Sequence, residues 1–179
     1  MMEMIETDTT HGNNNRYLFV CIGHDNFGIP IDAVKEVIEY TDTTMVPMCS
    51  TVIKGVINVR GSVIPVLDIQ NRLSLKKNLN YNRYSCIVLY EFIDDVIGET
   101  VTLGMLVNSV VSIEYITHEH LESSPSFGSN IPRQYVWKMA KIHNRLTTLL
   151  DMSRVLDINE INALLKTSQD KFFVNYCKS

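Results

Sequence analysis

Two apolar runs, Val52 to Val59 and Val63 to Ile69, stand on either side of three residues, Arg60, Gly61 and Ser62. No other stretch limits the fold of this chain as strongly. Both runs are rich in valine and isoleucine, whose branched Cβ suits a pleated strand better than a helix. The gap between them carries a glycine, which takes the positive φ of a tight reversal without steric cost. Together they read as a β-hairpin. Pro65 lies inside the second run and cannot donate a ladder hydrogen bond, so its strand must leave that position at an edge or a bulge.

The rest of the chain follows the same logic. Residues 16–22 are aromatic and β-branched and read as a strand. Gly23 to Gly28 reads as a turn, and Ile29 to Ile31 as extended. Residues 32–39 stay open between a short helical turn and a strand. Strand-like runs return at 85–92 and 101–107, with 93–100 as the loop of a long hairpin. Residues 117–134 read as a large loop, and 136–152 as a second hairpin turning at His143 to Arg145. Ile158, Ile161 and Leu165 recur at helical spacing, which predicts a C-terminal helix over about 157–166. Residues 1–15 read as a flexible arm and 167–179 as a tail.

Segment 70–84 carries Arg72, Lys76, Lys77 and Arg83 and no acidic residue. It reads as a connector with a solvated face, a basic interaction patch being the alternative.

The chain also repeats itself. Phe27 to Val37 resembles Leu103 to Ile113, with Gly28 against Gly104. Val66 to Ile69 resembles Leu149 to Met152. Two copies of a small β unit are expected, lobe one over about 16–69 and lobe two over about 85–156. A strand-rich unit of that size must close or cover its edges, and a small barrel does so.

Composition narrows the function classes. The net charge is −4, whereas a general nucleic-acid binder carries a basic surplus to replace the counterions on phosphates. No apolar run approaches the roughly 18–20 residues that span a bilayer, and the polar, acidic start lacks a secretory pattern, so a cytoplasmic protein without direct membrane insertion is expected. The cysteines, Cys21, Cys49, Cys86 and Cys177, form no C-x-x-C pair. They read as free thiols, Cys21 and Cys86 within apolar strands.

The run from Ile53 to Ile69 resembles the signature hairpin of the CheW family of chemotaxis coupling proteins. Phe27 to Ile38 extends the resemblance upstream, and Leu103 to Val107 and Leu150 to Leu156 extend it downstream. It covers about residues 16–165. The resemblance implies an all-β fold of two five-stranded SH3-like barrels sharing a core, with short helices and a C-terminal helix. It implies no enzymatic activity and no cofactor. The partners it implies are the regulatory domain of a CheA-type histidine kinase and the cytoplasmic tip of a methyl-accepting chemoreceptor, with the protein recruited to membrane-associated arrays through them. Relatives serving twitching or gliding pathways share the module. The second copy departs from the family pattern in having Lys138 to His143 where hairpin glycines are usual.

Arg60 is the residue singled out for partner contact, since a turn needs no arginine and a guanidinium pairs bidentately with a carboxylate. The resemblance adds Val34, Glu36, Gly55, Asn58, Gly61, Cys86 and Gly104. Each has a plainer role beside this one. Val34 and Cys86 can be core, Glu36 an exposed charge, Gly61 a turn residue, and Gly55 and Gly104 packing or bulge glycines. His118 and His120 share the spacing of a metal pair, but no third ligand is evident. Two further functions stand beside the adaptor. A small β enzyme would need convergent titratable groups, and a nucleic-acid-binding barrel would rest on the basic stretch with Tyr81 and Tyr84.

Overall fold

A computed structural model describes residues 15–40, 46–47, 52–75, 79–94, 98–122 and 130–163. Residues 1–14 of the expected arm, the whole tail expected at 167–179 and residues 164–166 of the C-terminal helix expected at 157–166 lie outside the described residues. Among the described residues, twelve strands make up most of the fold. They are β1 (Arg16–Ile22), β2 (Asp25–Pro30), β3 (Val34–Glu39), β4 (Val46–Pro47), β5 (Ile53–Val59), β6 (Ser62–Asp68), β7 (Cys86–Ile93), β8 (Thr100–Val107), β9 (Ser109–Tyr115), β10 (Leu121–Glu122), β11 (Val136–Ile142) and β12 (Arg145–Leu150). Two one-turn helices, α1 (Ile69–Arg72) and α2 (Met152–Val155), follow β6 and β12. Helical residues 158–163 close the described chain.

The strands form two six-stranded sheets, ordered β10-β11-β12-β2-β1-β9 and β3-β7-β8-β6-β5-β4. Each contains five long strands and a two-residue strand at one edge. The all-β expectation holds, and the two sheets are built alike: read from the short edge strand, β10, β11, β12, β2, β1 and β9 match β4, β5, β6, β8, β7 and β3 in order. Each also contains one parallel pair, β12 with β2 and β6 with β8, among antiparallel neighbours.

This arrangement corrects the lobe boundaries. Neither sheet comes from one contiguous half. β1 and β2 leave the first half to pair with β9–β12, while β7 and β8 leave the second half to pair with β3–β6. The units at 16–69 and 85–156 are repeats in sequence, and they exchange their first two strands in space. Short hairpin turns make β1 and β2, or β7 and β8, natural local pairs, but nothing local dictates which sheet such a pair joins.

The central glycines show why the repeat is visible at all. Gly28 lies beside Leu149 across the β2–β12 ladder, and Gly104 beside Val66 across β8–β6. A Cβ on Gly28 would come within 2.5 Å of Leu149 Cδ2, and one on Gly104 within 3.0 Å of Val66 Cγ2. Close sheet packing thus excludes a side chain at both equivalent places. After each ladder an aspartate caps a one-turn helix: Asp68 accepts from the backbone N–H of Asn71 at 3.5 Å, and Asp151 from that of Ser153 at 3.2 Å.

The principal core draws on both sheets, with Leu18, Val20 and Ile29 from one meeting Leu67, Val88 and Met105 from the other. Fully burying such a side chain is worth about 1.5–3 kcal/mol, so the two sheets are held as one body.

Three local expectations change. The turn expected over Gly23 to Gly28 is only two residues, because Phe27 and Gly28 find ladder partners on both β1 and β12. The open segment 32–39 is a 3-10 turn at Ile31–Ala33 followed by β3. The connector is no solvated face where Arg72 stands. Arg72 is 8% exposed, and its guanidinium donates to the backbone carbonyls of Val155 (2.8 Å) and Arg154 (2.9 Å) and to Glu160 Oε2 (2.6 Å). It also lies over the Tyr135 ring. Helix α2 ends with carbonyls that need donors, and this forked cation supplies them. Pro65 meets its expectation: β6 pairs with β8 only from Val66 onward, so Pro65 has a neighbour on one side alone.

Candidate partner-docking site

The β5–β6 hairpin turns on Arg60 and Gly61, with φ of 49° and 85°. Two successive positive φ values give the turn whose twist matches that of the flanking strands. No atom lies within 4 Å of a Cβ built on Gly61, so its glycine serves the backbone and no contact. Asn58 braces the reversal, its Oδ1 accepting from the Gly61 N–H at 3.0 Å. Arg60 pays the steric cost of a left-handed backbone with an ordinary side chain, which points to a use for that side chain.

Its guanidinium reaches Glu36 on β3, Nη2 to Oε2, at 2.6 Å. β3 and β5 lie near opposite edges of the same sheet, so this contact means that the sheet curls round on itself, as a barrel does. Arg60 remains 70% exposed on its side chain. The pair therefore keeps donor N–H groups facing outward. Beside it Val63 is exposed at 67%, and Val37, next after Glu36 in β3, is exposed at 41%. A shallow cleft of ≈ 300 Å³ opens here between Lys35, Arg60, Val63 and Thr102. Lys35 donates to Glu91 at 2.9 Å, and that hydrogen bond holds the Glu91 carboxyl below its ordinary pKa. Lys35 and Arg60 stand in the lining of the cleft with Val59, Val63 and Ile64, a mixture of charged and apolar groups such as protein–protein contacts carry.

The expected residues divide accordingly. Glu36, Asn58, Arg60 and Gly61 come together at the hairpin tip. Val34 lies two residues before Glu36 on β3, half-buried and packed against the core. Cys86 sits farther along, paired with Glu39, and burial raises its thiol pKa. Gly55 and Gly104 are buried inside the sheet, so neither offers a surface. Gly55 lies at a bulge facing Val66, and Gly104 is packed between Ile87 and Val66. Val37 and Val63 were missed. The period-2 alternation of β6 places Ile64 and Val66 inside and therefore Val63 outside, a signal present in the sequence.

The second sheet carries an equivalent tip. His143 and Asn144 take φ of 49° and 62°, so the turn is made without glycine. His143 Nε2 lies 3.5 Å from Glu114 Oε1 on the edge strand β9, and Leu146 is exposed where its counterpart Val63 is. His118 and His120 do not converge on a metal. His120 Nδ1 accepts from the Thr117 N–H at 3.0 Å and caps its turn, and no cluster able to hold a metal ion is found among the described residues. No described helix is long and apolar enough to cross a membrane.

Comparison with known proteins agrees with this architecture. Residues 16–160 match the model of the CheW-like domain. The chemotaxis protein CheW of Klebsiella aerogenes is 24% identical over 145 residues, spanning 81% of this chain and 83% of that protein. The probable chemotaxis protein CheW of Rhizobium etli is 28% identical over 142 residues, spanning 79% and 87%. Among solved structures, the scaffolding protein TtCheW of Thermoanaerobacter tengcongensis superposes with a TM-score of 0.66 at 23% identity, covering 82% of this chain and 94% of that one, a likeness of fold.

Proposed function

The chain belongs to the CheW-like domain family, and from that premise we propose that it couples chemoreceptors to a CheA-type histidine kinase, with the Arg60–Glu36 tip as a contact surface. It is a chemotaxis coupling and scaffold protein. The kinase is engaged through its regulatory domain and the receptor through its cytoplasmic tip. The task requires no reaction. Two partners held on one rigid body gain effective concentration for each other, and a shift at one contact alters the other. It places the protein in the cytoplasm, drawn to receptor arrays through its partners.

The observation that carries the contact surface is the solvent-open Arg60–Glu36 pair beside the exposed Val63. An exposed ion pair adds little to folding, about 0–1 kcal/mol, whereas an arginine at the centre of an interface is among the residues whose loss costs most. Binding of the full chain to the regulatory domain of the CheA from the same cell, and separately to the receptor tip, is the test. Arg60→Ala is expected to weaken one of the two by about tenfold or more, a change of 1.4 kcal/mol or above, with unfolding unchanged within about 1 kcal/mol. Glu36→Ala should act on the same partner. Full affinity of both variants for both partners would remove the tip from the site, and failure of the folded wild type to bind either would remove the coupling reading.

A further inference from the structure

The repeat and the ladder register together set apart a polar cleft in one sheet. β2 and β12 are parallel neighbours, so both begin at the same end of their sheet. Thr148 is paired with Phe27 on one side and with Met139 on the other, and the side chains of such a row share a face. All three are buried and line the bottom of a cleft of ≈ 230 Å³. Asp25, the first residue of β2, and Arg145, the first of β12, stand in its walls with Leu146 beside them, and His24 and Asn26 complete the polar side. The other copy dispenses with this chemistry. Matching Gly28 to Gly104 and Leu149 to Val66 puts Val101 at the place of Asp25, Ser62 at that of Arg145 and Pro65 at that of Thr148. The fold itself therefore requires none of the three polar side chains.

Nor are they engaged with one another. Arg145 makes no ion pair, side-chain hydrogen bond or ring contact among the described residues. The Asp25 carboxylate accepts from the neutral Asn130 amide at 3.2 Å, and no salt bridge joins it to Arg145 across the cleft. Thr148 is 7% exposed. Its hydroxyl donates to Met139 Sδ at 3.8 Å, a weak acceptor, and has no nitrogen or oxygen partner among the described residues. Buried polar side chains ordinarily have one. A cation and an anion that line one cleft from adjacent strands, neither neutralising the other, offer both charges to a single occupant.

We propose that this cleft binds a free α-amino acid with an apolar side chain, its carboxylate on Arg145, its ammonium on Asp25 and its side chain over Phe27, Met139 and Leu146. The guanidinium fork matches a carboxylate with two parallel N–H···O bonds. The ammonium donates to the Asp25 carboxylate, and the Thr148 hydroxyl, both donor and acceptor, serves either end of the ligand. A simple carboxylate or phosphate would bring a like charge to Asp25, and a simple amine would bring one to Arg145; each juxtaposition is repulsive. The cleft is smaller than the roughly 300–1,000 Å³ of drug-sized sites, which selects a small metabolite over a nucleotide or a peptide. It lies in the sheet that does not carry the Arg60–Glu36 tip, so the proposal is independent of the coupling reading.

The test titrates the full chain, isotope-labelled at its methionine and leucine methyl groups, with L-leucine and with L-methionine to about 10 mM, enough to load a site with a Kd of about 1 mM. Both should shift the methyl resonances of Met139 and Leu146 and leave Leu106, in the separate core of the other sheet, unmoved. Isocaproate and isoamylamine, which keep the leucine side chain and lack the ammonium or the carboxylate, should bind about tenfold more weakly or worse. Arg145→Met and Asp25→Asn should each weaken leucine by about tenfold or more. Asp25→Asn keeps an acceptor for the Asn130 amide, and unmoved Leu106 methyls show that both variants remain folded. No shift with leucine or methionine would overturn the proposal. So would isocaproate binding as tightly as leucine, which would make the cleft a site for simple carboxylates, and so would full affinity for leucine in either variant.

Discussion

Replacing Gly104 by alanine separates a packing glycine from a partner-contact glycine. Gly104 lies in the middle of its sheet, opposite Leu89 on β7 and beside Val66 on β6. An added Cβ would sit 2.9 Å from Ile87 Cγ2, 3.0 Å from Val66 Cγ2 and 3.5 Å from the Pro65 carbonyl oxygen. Both methyl groups belong to β-branched side chains with 0% exposure, which have few alternative rotamers. No flexible side-chain end can swing away, so strands must part by some tenths of an ångström. Overpacking of this kind costs about 1–3 kcal/mol, and compression from two sides places this case near the upper end. At about 2–4 °C per kcal/mol for a domain of this size, Tm should fall by roughly 4–12 °C. Urea unfolding of Gly104→Ala, Val66→Ala and the double variant gives the coupling. Because Val66→Ala removes one of the two obstructing methyls, the double variant should be less destabilised than the sum by about 1 kcal/mol or more. The folded fraction of Gly104→Ala should bind the kinase regulatory domain as the wild type does. Stability unchanged within about 0.5 kcal/mol, or a strictly additive cycle, would refute the packing account, and lost binding with intact stability would put Gly104 at the contact after all.

Arg72→Ala leaves the carbonyls of Arg154 and Val155 without their donor and should cost about 2–4 kcal/mol in urea unfolding, since hydrogen bonds to charged groups are worth about 1.5–3 kcal/mol each. Arg72→Lys should recover less than half, because an ammonium cannot reproduce the fork. Asn144→Gly relieves a positive φ of 62° and should stabilise by up to about 1 kcal/mol, read as a higher Tm. Burial, with Asp32 nearby, pushes the Tyr17 hydroxyl up to about 12, and burial likewise raises Tyr81 and Tyr90. The folded pKa lies above the unfolded value of about 10, so stability from these groups is complete below pH 10 and is lost as pH rises above it, through about 12 for Tyr17, because the unfolded chain ionises first. Absorbance at 295 nm should show these three ionising together with unfolding, and a separate ionisation of Tyr17 near pH 10 in the folded protein would contradict its burial.

The parts of this fold that could be read in advance are those whose cause is local. The β5–β6 hairpin is legible because both strands and the residues of the turn lie within the sixteen consecutive positions from Ile53 to Asp68. The second hairpin was placed correctly although its turn has no glycine, since His143 and Asn144 occupy the left-handed region in its place. The sequence shortens β2 because Asp25, Asn26 and Gly28 are turn formers; pairing with β1 draws all three into the strand, and Gly28 is paired with β12 as well. β9 was not set apart, although its residues were noticed as a repeat of β3. The exchange of strands between sheets has no local signature, and neither has the burial of Arg72, whose basic neighbours suggested a wet surface while its partners lie more than eighty residues away. At the candidate site, Arg60, Glu36, Asn58 and Gly61 lie together at the hairpin tip, while Gly55 and Gly104, added through the resemblance, lie in the sheet interior.

The exchange of strands also sets an order of events during synthesis. Sheet β3-β7-β8-β6-β5-β4 has all its strands once Val107 has left the ribosome. β1 and β2, made first, have to wait for β9–β12 and cannot complete their sheet until Leu150 emerges. The earliest hairpin therefore spends most of translation with unpaired edges, the condition under which chains pair wrongly or meet chaperones. Contacts between residues as distant in sequence as Phe27 and Thr148 also place folding on the slow side for its size. Cut within the connector, the gene would yield two fragments that each lack two strands of one sheet and four of the other, incomplete alone and complementary together.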